Sequence, residues 1–276
     1  MKHIPYAQIN NLGNFIVFEG INGSGKSTQT KLLQQKLLNE GIKNQINHEP
    51  TNGLIGQLTR EIIENKKINI NDLELDEFLE KLQLENSISK NVKLIISQFN
   101  KKNQIKNEET KRQFLFIVDR YYDIKNNIEP ALNKNKWLIE DRYDISCYLH
   151  GIANGLDFNY LTRKHKEILK NNYLGPNLII FYWIKTNTAL KRLKNSNKII
   201  DIYENAKMLK KIEKAARWLF AFRFETPKIR QPLIRKLKIE GKNLKVAIIN
   251  AEPSIDEVFE ETWKVVEKIK LNHMSS

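Results

Sequence analysis

The stretch Phe15-Ile16-Val17-Phe18-Glu19-Gly20-Ile21-Asn22-Gly23-Ser24-Gly25-Lys26-Ser27-Thr28 decides the architecture of this chain. Its first four residues are a continuous apolar run and read as a buried strand. Gly20 to Ser27 spell GxxxxGKS, and the stretch from Thr28 to Glu40 reads as an amphipathic helix that Gly41 ends. Strand, glycine loop, helix is the context in which this motif cradles a polyphosphate. The glycines let the backbone wrap closely with its amides turned inward, and the helix N-terminus adds a partial positive charge. Gly20, Ile21, Asn22, Gly23, Ser24, Gly25, Lys26, Ser27 and Thr28 are therefore the expected nucleotide-binding residues. Lys26 would reach the β- and γ-phosphates, and the Ser27 hydroxyl would take a place on Mg²⁺.

Outward from the loop, five apolar runs read as strands: Phe15–Glu19, Gln45–His48, Trp137–Glu140, Leu178–Ile184 and Val246–Asn250. Helical segments separate them. The alternation predicts an α/β fold of the P-loop NTPase class, a five-stranded parallel sheet with helices on both faces. Ligands of such sheets bind beyond the carboxyl ends of the strands. Glu19-Gly20, Glu49-Pro50 and Asp141-Arg142 stand at three of those ends.

Two segments look added to this frame. From Asn71 to about Lys111, Leu75, Phe78, Leu79, Leu82, Ile88, Val92, Ile95 and Phe99 fall at helical spacing and predict a helical insertion. Such an insertion covers part of the core, or it serves as an oligomer surface or a cover on the substrate pocket. Phe222–Asn243 is rich in Lys and Arg, contains two prolines, and reads as a basic surface loop or short helices. Near the C-terminus, Ser254 and Glu257 make a capping box for a helix whose apolar stripe is Val258, Val266 and Ile269.

At 276 residues and 41% hydrophobic content the chain can bury a sizeable core. Its formal net charge of +14 suits an anionic substrate, which a positive field draws in. The lysines are spread along the chain, which does not favour a nucleic-acid partner. Cys147 is the single cysteine, so no internal disulfide forms, and a buried inert thiol in a reducing compartment is expected. No apolar run reaches membrane-spanning length and Met1–Asn14 lacks a signal-peptide core, so a cytoplasmic enzyme is expected.

Two Asp-Arg pairs narrow the chemistry: Phe116-Ile117-Val118-Asp119-Arg120 and Trp137-Leu138-Ile139-Glu140-Asp141-Arg142-Tyr143. Asp141 ends a strand expected beside the loop, where NTPases of this class keep a carboxylate near Mg²⁺. Arg142 then points into the same crevice, where its planar fork can hold a phosphate bidentately. The bland alternative is a structural ion pair between the two.

With these residues in place the chain resembles the thymidylate kinases. Glu19 to Thr28 is similar to the family's phosphate loop, and His48-Glu49-Pro50-Thr51 to its REP-type turn. Phe116 with Asp119-Arg120 is similar to its Phe and DR pair, and Ile128-Glu129-Pro130-Ala131-Leu132 to its I-x-P-A-L helix. Asp141-Arg142-Tyr143 with Ser146, Tyr148 and Gly151 resembles its DRY segment. Leu190 and Arg192 open a stretch similar to its lid, which ends in Asp201-Ile202-Tyr203-Glu204.

The resemblance implies one domain over residues 1–276, with an insertion at 71–111, a lid at 185–204 and the basic segment at 222–243. It implies ATP as co-substrate, dTMP as acceptor, Mg²⁺ as cofactor and a homodimer. Phe116 would stack on the thymine ring and Arg120 would donate to the base edge. Arg142 would hold the acceptor phosphate, and Glu49 would help order the acceptor loop. Ser146, Tyr148 and Tyr203 would complete the substrate site. Arg192 would close over the donor phosphates, and Glu204 would join Ser27 and Asp141 around the metal.

The chain departs from the family pattern at Asn22, where an Asp is usual, and at His48, where an Arg is usual. The lid stretch between Arg192 and Asp201 offers only Lys194 and Lys198 as bases. The segment after Ser146 is one residue short, which leaves Tyr148 and His150 as rival candidates for contact with the sugar. A deoxynucleoside kinase on the same frame, or a non-catalytic nucleotide-binding descendant, are the alternative readings.

Overall fold

The computed structural model describes residues 14–64, 108–195, 205–221, 231–239 and 242–274. The predicted insertion core, Tyr203, Glu204 and Lys198 lie outside the described residues, as do 222–230 of the basic segment.

Six strands form one sheet: β1 (Phe15–Gly20), β2 (Asn44–His48), β3 (Trp137–Asp141), β4 (Leu178–Trp183), β5 (Leu233–Ile239) and β6 (Lys242–Asn250). Their order is β2-β3-β1-β4-β6-β5. The first five in that order run parallel, as the apolar runs predict, and each predicted run lies on one of them. The chain crosses from β1 to one side of the sheet and later returns to the other. The crevice at the carboxyl end of β1 is therefore the expected ligand site.

The sixth strand is a correction to the five-stranded, all-parallel expectation. β5 pairs antiparallel with β6, from Leu233↔Ile248 to Ile239↔Lys242. It falls inside Phe222–Asn243, which was read as loop or short helices. Arg235, Lys236 and Lys238 interrupt the alternation of this segment and hide its β character, yet cations suit an outermost strand because they discourage pairing with another chain.

Alternation along β1 assigns the helices to the two faces. Phe15 meets the Tyr143 ring edge-on at 5.3 Å, and Glu19 reaches the amides of Tyr143 and Ser146 on the same side. That face carries α3 (Glu108–Asp123), α5 (Asp144–Ala153), α6 (Phe158–Leu169) and α8 (Ala206–Leu219), which pack on one another. Phe18 turns the other way onto Tyr182, whose hydroxyl bonds Thr262 Oγ1 at 2.8 Å in α9 (Ile255–Met274). There α9 packs against α1 (Lys26–Asn39), and Gln29 Nε2 donates to the Ile255 carbonyl at 2.9 Å.

Three shorter helices complete the described chain: α2 (Leu54–Ile63), α4 (Glu129–Asn133) and α7 (Thr186–Lys194). A π-helical turn, Ile124–Ile128, joins α3 to α4. The predicted ends hold at two helices. Gly41 takes φ +75° just beyond α1, and Ser254 and Glu257 exchange hydrogen bonds at the start of α9.

Candidate active site

The loop between β1 and α1 bends through Gly23 at φ +81° and Gly25 at φ +90°. A Cβ on Gly23 would lie 2.6 Å from the Ala189 carbonyl oxygen, so the loop is pressed against α7. Nothing lies within 4 Å of the corresponding point at Gly25, which faces open space. That space belongs to a cavity of about 660 Å³ lined by the loop and α1 start, His48, Glu49, Asp141, Arg142, Arg192 and the β6–α9 connection. Inside it, Lys26 Nζ donates to the carbonyls of Gly20 (2.9 Å) and Ile21 (3.2 Å).

Register brings the metal candidates together. Phe18, Asp141 and His48 form one row across β1, β3 and β2. The Ser27 hydroxyl donates to Asp141 Oδ2 at 2.7 Å, while Asp141 Oδ1 has no hydrogen-bond partner among the described residues. Two hard oxygens beside a phosphate cradle fit Mg²⁺, which binds through few protein groups and keeps water and phosphate as its other ligands. In keeping with that habit, no group of three or more His, Cys, Asp or Glu among the described residues forms a metal cage.

Arg142 follows at φ +76°, its amide bonded to the Phe18 carbonyl at 2.9 Å. This left-handed backbone turns the side chain across the mouth of the loop. Its Nη1 donates to Gly20 O (3.3 Å) and to Ser146 Oγ (3.0 Å), and its Nη2 donates to Asn22 Oδ1. Asn22 thus keeps a hydrogen bond to the arginine without the charge of an Asp.

Behind this cavity lies a buried ionic cluster. Arg120 is 1% exposed, donates through Nε to Glu49 Oε1 at 3.0 Å and through Nη2 to Glu49 Oε2, and stacks over the Tyr143 ring at 4.7 Å. Asp119 accepts from the Thr51 amide (2.7 Å) and hydroxyl (2.6 Å), locking α3 to the turn after β2. Burial pushes the Glu49 carboxyl up, and the Arg120 cation opposes that shift. The base-reading role expected of Arg120 meets a side chain already committed to Glu49. Its Nη1 has no nitrogen or oxygen partner among the described residues. Phe116 sits half-buried one helical turn earlier on α3.

The rival sugar candidates separate in space. Tyr148 is fully buried, stacked on His165 at 4.6 Å, with its hydroxyl 3.2 Å from His165 Nδ1. His150 is half-buried on α5, one turn after Ser146. Burial and the cations Arg142 and Lys26 push its pKa down to about 3. Cys147 is buried, donates to Gln113 Oε1 at 2.6 Å, and burial pushes its thiol up to about 12, so it is the inert group expected. Arg192 is half-buried at the cavity wall, with Nη2 3.4 Å from the Glu252 carbonyl.

Two further features escaped the sequence reading. Arg60 of α2 donates through Nη2 to the carbonyls of Pro50 (2.5 Å) and Thr51 (2.6 Å) and so clasps the turn that carries Glu49. A lone Arg in the amphipathic Leu54–Ile63 stretch was its only signal. The second is a pair of carboxyls within hydrogen-bond reach, Asp123 and Glu140. Burial, the largest cause, pushes Asp123 up to about 7 and Glu140 well above the carboxylate range; the Asp123 charge raises Glu140 further, while the hydrogen bond with Glu140 holds Asp123 down. Its signal was a charged residue ending the apolar run Trp137–Ile139.

The thymidylate kinase family model matches residues 18–81 and 80–229, more than half of the chain. A thymidylate kinase of Orientia tsutsugamushi (strain Ikeda) is 27% identical over 95% of this chain and 96% of its own length. One from Brachyspira hyodysenteriae is 30% identical over 73% of this chain and 78% of its own. A probable thymidylate kinase of Pyrococcus horikoshii is 31% identical over 66% of this chain and 70% of its own. A glycine loop between β1 and α1, an arginine set across its mouth, the matching family model and these relatives agree: the chain belongs to the thymidylate kinase family.

Proposed function

We propose that the chain transfers the γ-phosphoryl group of ATP to the phosphate of dTMP, giving dTDP and ADP, and that it does so with Mg²⁺. The observation that carries this reading is the single cavity onto which Lys26, Ser27, Asp141, Arg142 and Arg192 all open. The acceptor oxygen of a nucleoside monophosphate is already an anionic nucleophile, so catalysis needs positioning and charge neutralisation rather than a strong base.

The loop amides and Lys26 receive the donor phosphates, Lys26 exchanging the Gly20 and Ile21 carbonyls for phosphate oxygens. Ser27 and Asp141 hold Mg²⁺, which when bound supplies neutralisation of the phosphate charge. Arg142 holds the acceptor phosphate and Arg192 approaches the transferring group from the lid side. Phe116 stacks on the base, with Arg120 Nη1 as the donor left for its edge. Glu49 keeps Arg120 fixed, Ser146 steadies Arg142, and His150 rather than Tyr148 meets the sugar. Tyr203 and Glu204 remain part of the proposed acceptor and metal sites. A homodimer in the cytoplasm belongs to the same reading, and sedimentation of the purified chain tests the dimer.

A kinase acting on a nucleoside hydroxyl would need a carboxylate base. Glu140 is fully buried and Asp141 is engaged by Ser27, which weighs against that reading. A coupled ADP-release assay across dTMP, dUMP, dCMP, UMP and thymidine tests the proposal. Turnover with dTMP well above the others is expected. Preference for thymidine, or no turnover with any of the five, would overturn it.

A further inference from the structure

α5 begins without a cap of its own. Tyr143 occupies the capping position with φ −157° and ψ −138°, and its own side chain makes no cap hydrogen bond, while the Asp144 carboxyl reaches only the Asp144 and Ile145 amides of the first turn. The cap comes from β1. Glu19, 0% exposed, accepts from the Tyr143 amide (2.8 Å) and the Ser146 amide (3.1 Å) through Oε1. Its Oε2 accepts from the Ser146 hydroxyl at 2.5 Å. A buried carboxylate is costly unless its oxygens are satisfied, and here three donors satisfy it.

The Ser146 hydroxyl has one proton. A carboxylate only accepts and a guanidinium only donates, so with Glu19 on one side and Arg142 on the other the proton goes to Glu19. The oxygen is left as an acceptor for Arg142 Nη1 at 3.0 Å. Arg142 has five N–H donors. Nη1 is occupied by Ser146 and Gly20, and Nη2 gives one bond to Asn22. No hydrogen bond engages the Nε–H among the described residues, and Nε with Nη2 forms the edge of the guanidinium suited to bidentate contact with a phosphate.

We propose that Glu19 is a positioning residue for the acceptor arginine: by fixing the direction of the Ser146 hydroxyl it pins Nη1 and presents the Nε/Nη2 edge of Arg142 to the incoming phosphate. The inference rests on the acceptor role proposed for Arg142. Glu19 is fully buried and is not among the residues that line the cavity, so its route to the site runs through Ser146 and the start of α5.

Glu19→Gln tests it. The amide nitrogen would donate to Ser146 Oγ, and the serine proton would turn against a guanidinium that cannot accept it. kcat/KM for dTMP should fall roughly thirtyfold, the scale of one hydrogen bond to a charged group, with the KM for ATP unchanged. Ser146→Ala should produce a similar loss, and Ser146→Thr, which keeps the hydroxyl, should recover a substantial part of it. The double variant Glu19→Gln/Ser146→Ala should be no worse than the weaker single, because both break one path. Additive losses, or an equal rise in the KM for ATP, would overturn the relay. Should Glu19→Gln fail to fold, the Ser146→Ala and Ser146→Thr pair decides: equal behaviour of the two refutes it. Arg142→Ala separates this inference from the reading beneath it. If that variant leaves dTMP kinetics intact, the acceptor role of Arg142 is wrong. If it abolishes dTMP turnover while Glu19→Gln and Ser146→Ala do not impair it, only the relay is wrong.

Discussion

The proposed donor and acceptor halves of the site are built on opposite plans. The donor half is one continuous stretch, residues 20–28, whose working groups are backbone amides, one lysine and one hydroxyl at the edge of an open cavity. The acceptor half is assembled from the turn after β2, α3, the end of β3 and the start of α5. Glu49, Asp119, Asp123, Glu140 and Asp144 are all buried near Arg120. In the first half the proposed function leaves a phosphate to supply the opposing charge. In the second Arg120 is already paired with Glu49, and Asp119 with the Thr51 amide and hydroxyl, inside the protein. Perturbing the first should therefore cost activity, and perturbing the interior of the second should cost stability.

Lys26→Ala is expected to have the largest effect. Turnover should fall by about a thousandfold or more, because the lysine neutralises charge on the transferring group. Lys26 Nζ donates to the loop carbonyls of Gly20 and Ile21 at the edge of an open cavity, so thermal unfolding should stay cooperative near the wild-type midpoint. Activity within tenfold of wild type would end the assignment of a donor site here.

Arg120→Met tests the other half. Removing the cation leaves Glu49 buried without a partner, and denaturant unfolding should show about 3–5 kcal/mol of lost stability. A loss below about 1 kcal/mol would mean that Glu49 is already protonated in the folded chain and that the two halves differ less than the geometry implies.

Arg142→Lys stands where the halves meet. The charge is kept and the fork is lost, so kcat/KM for dTMP should drop about a hundredfold while ATP binding changes little. Isothermal titration with an unreactive ATP analogue, beside steady-state kinetics, separates the two. Weaker nucleotide binding with intact dTMP kinetics would move Arg142 into the donor half.

The buried carboxyls also carry a pH signature. Asp123 keeps its proton to about 7 in the folded chain, against 3.8 for an ordinary aspartate. Between those values the folded state binds more protons than the unfolded. The contribution of this group is therefore complete below the ordinary value and declines as pH rises toward 7, by up to about 1.4 kcal/mol per pH unit. Asp123→Asn should flatten that decline in a series of melts from pH 4 to 8. An unchanged slope would show that burial does not raise Asp123 in the folded chain.

The smallest effect belongs to the lid side. Lys194 is exposed at the end of α7, two residues beyond Arg192. If a second guanidinium helps the transition state, Lys194→Arg should raise kcat roughly twofold with little change in the KM for dTMP. A rise in KM with constant kcat would place Lys194 on ground-state binding instead.

Legibility followed the same division. The loop, Ser27 and Asp141, the parallel strands and the capped final helix were readable because each is declared by neighbours within a few residues. β5 was not, since its cations suit an edge strand and a loop alike. Arg120 was assigned to the base from its place in a motif. That place could not say that Glu49, seventy-one positions away, would claim its Nε and Nη2. Tyr148 and His150 could not be told apart until α5 turned one inward onto His165 and left the other near Arg142.

Sequence alone determined the glycine loop between β1 and α1, because glycines that permit left-handed backbone act through local geometry. It also settled the alternation that produces a parallel sheet, because side-chain period and helix length are local properties. Tertiary structure decided which charges meet. The Glu49–Arg120 pair, the neighbouring buried carboxyls Asp123 and Glu140, and the Glu19–Ser146–Arg142 path all join residues far apart in the chain. Each depends on burial, since water would screen such contacts to little consequence and only a desolvated interior makes the choice of partner decisive.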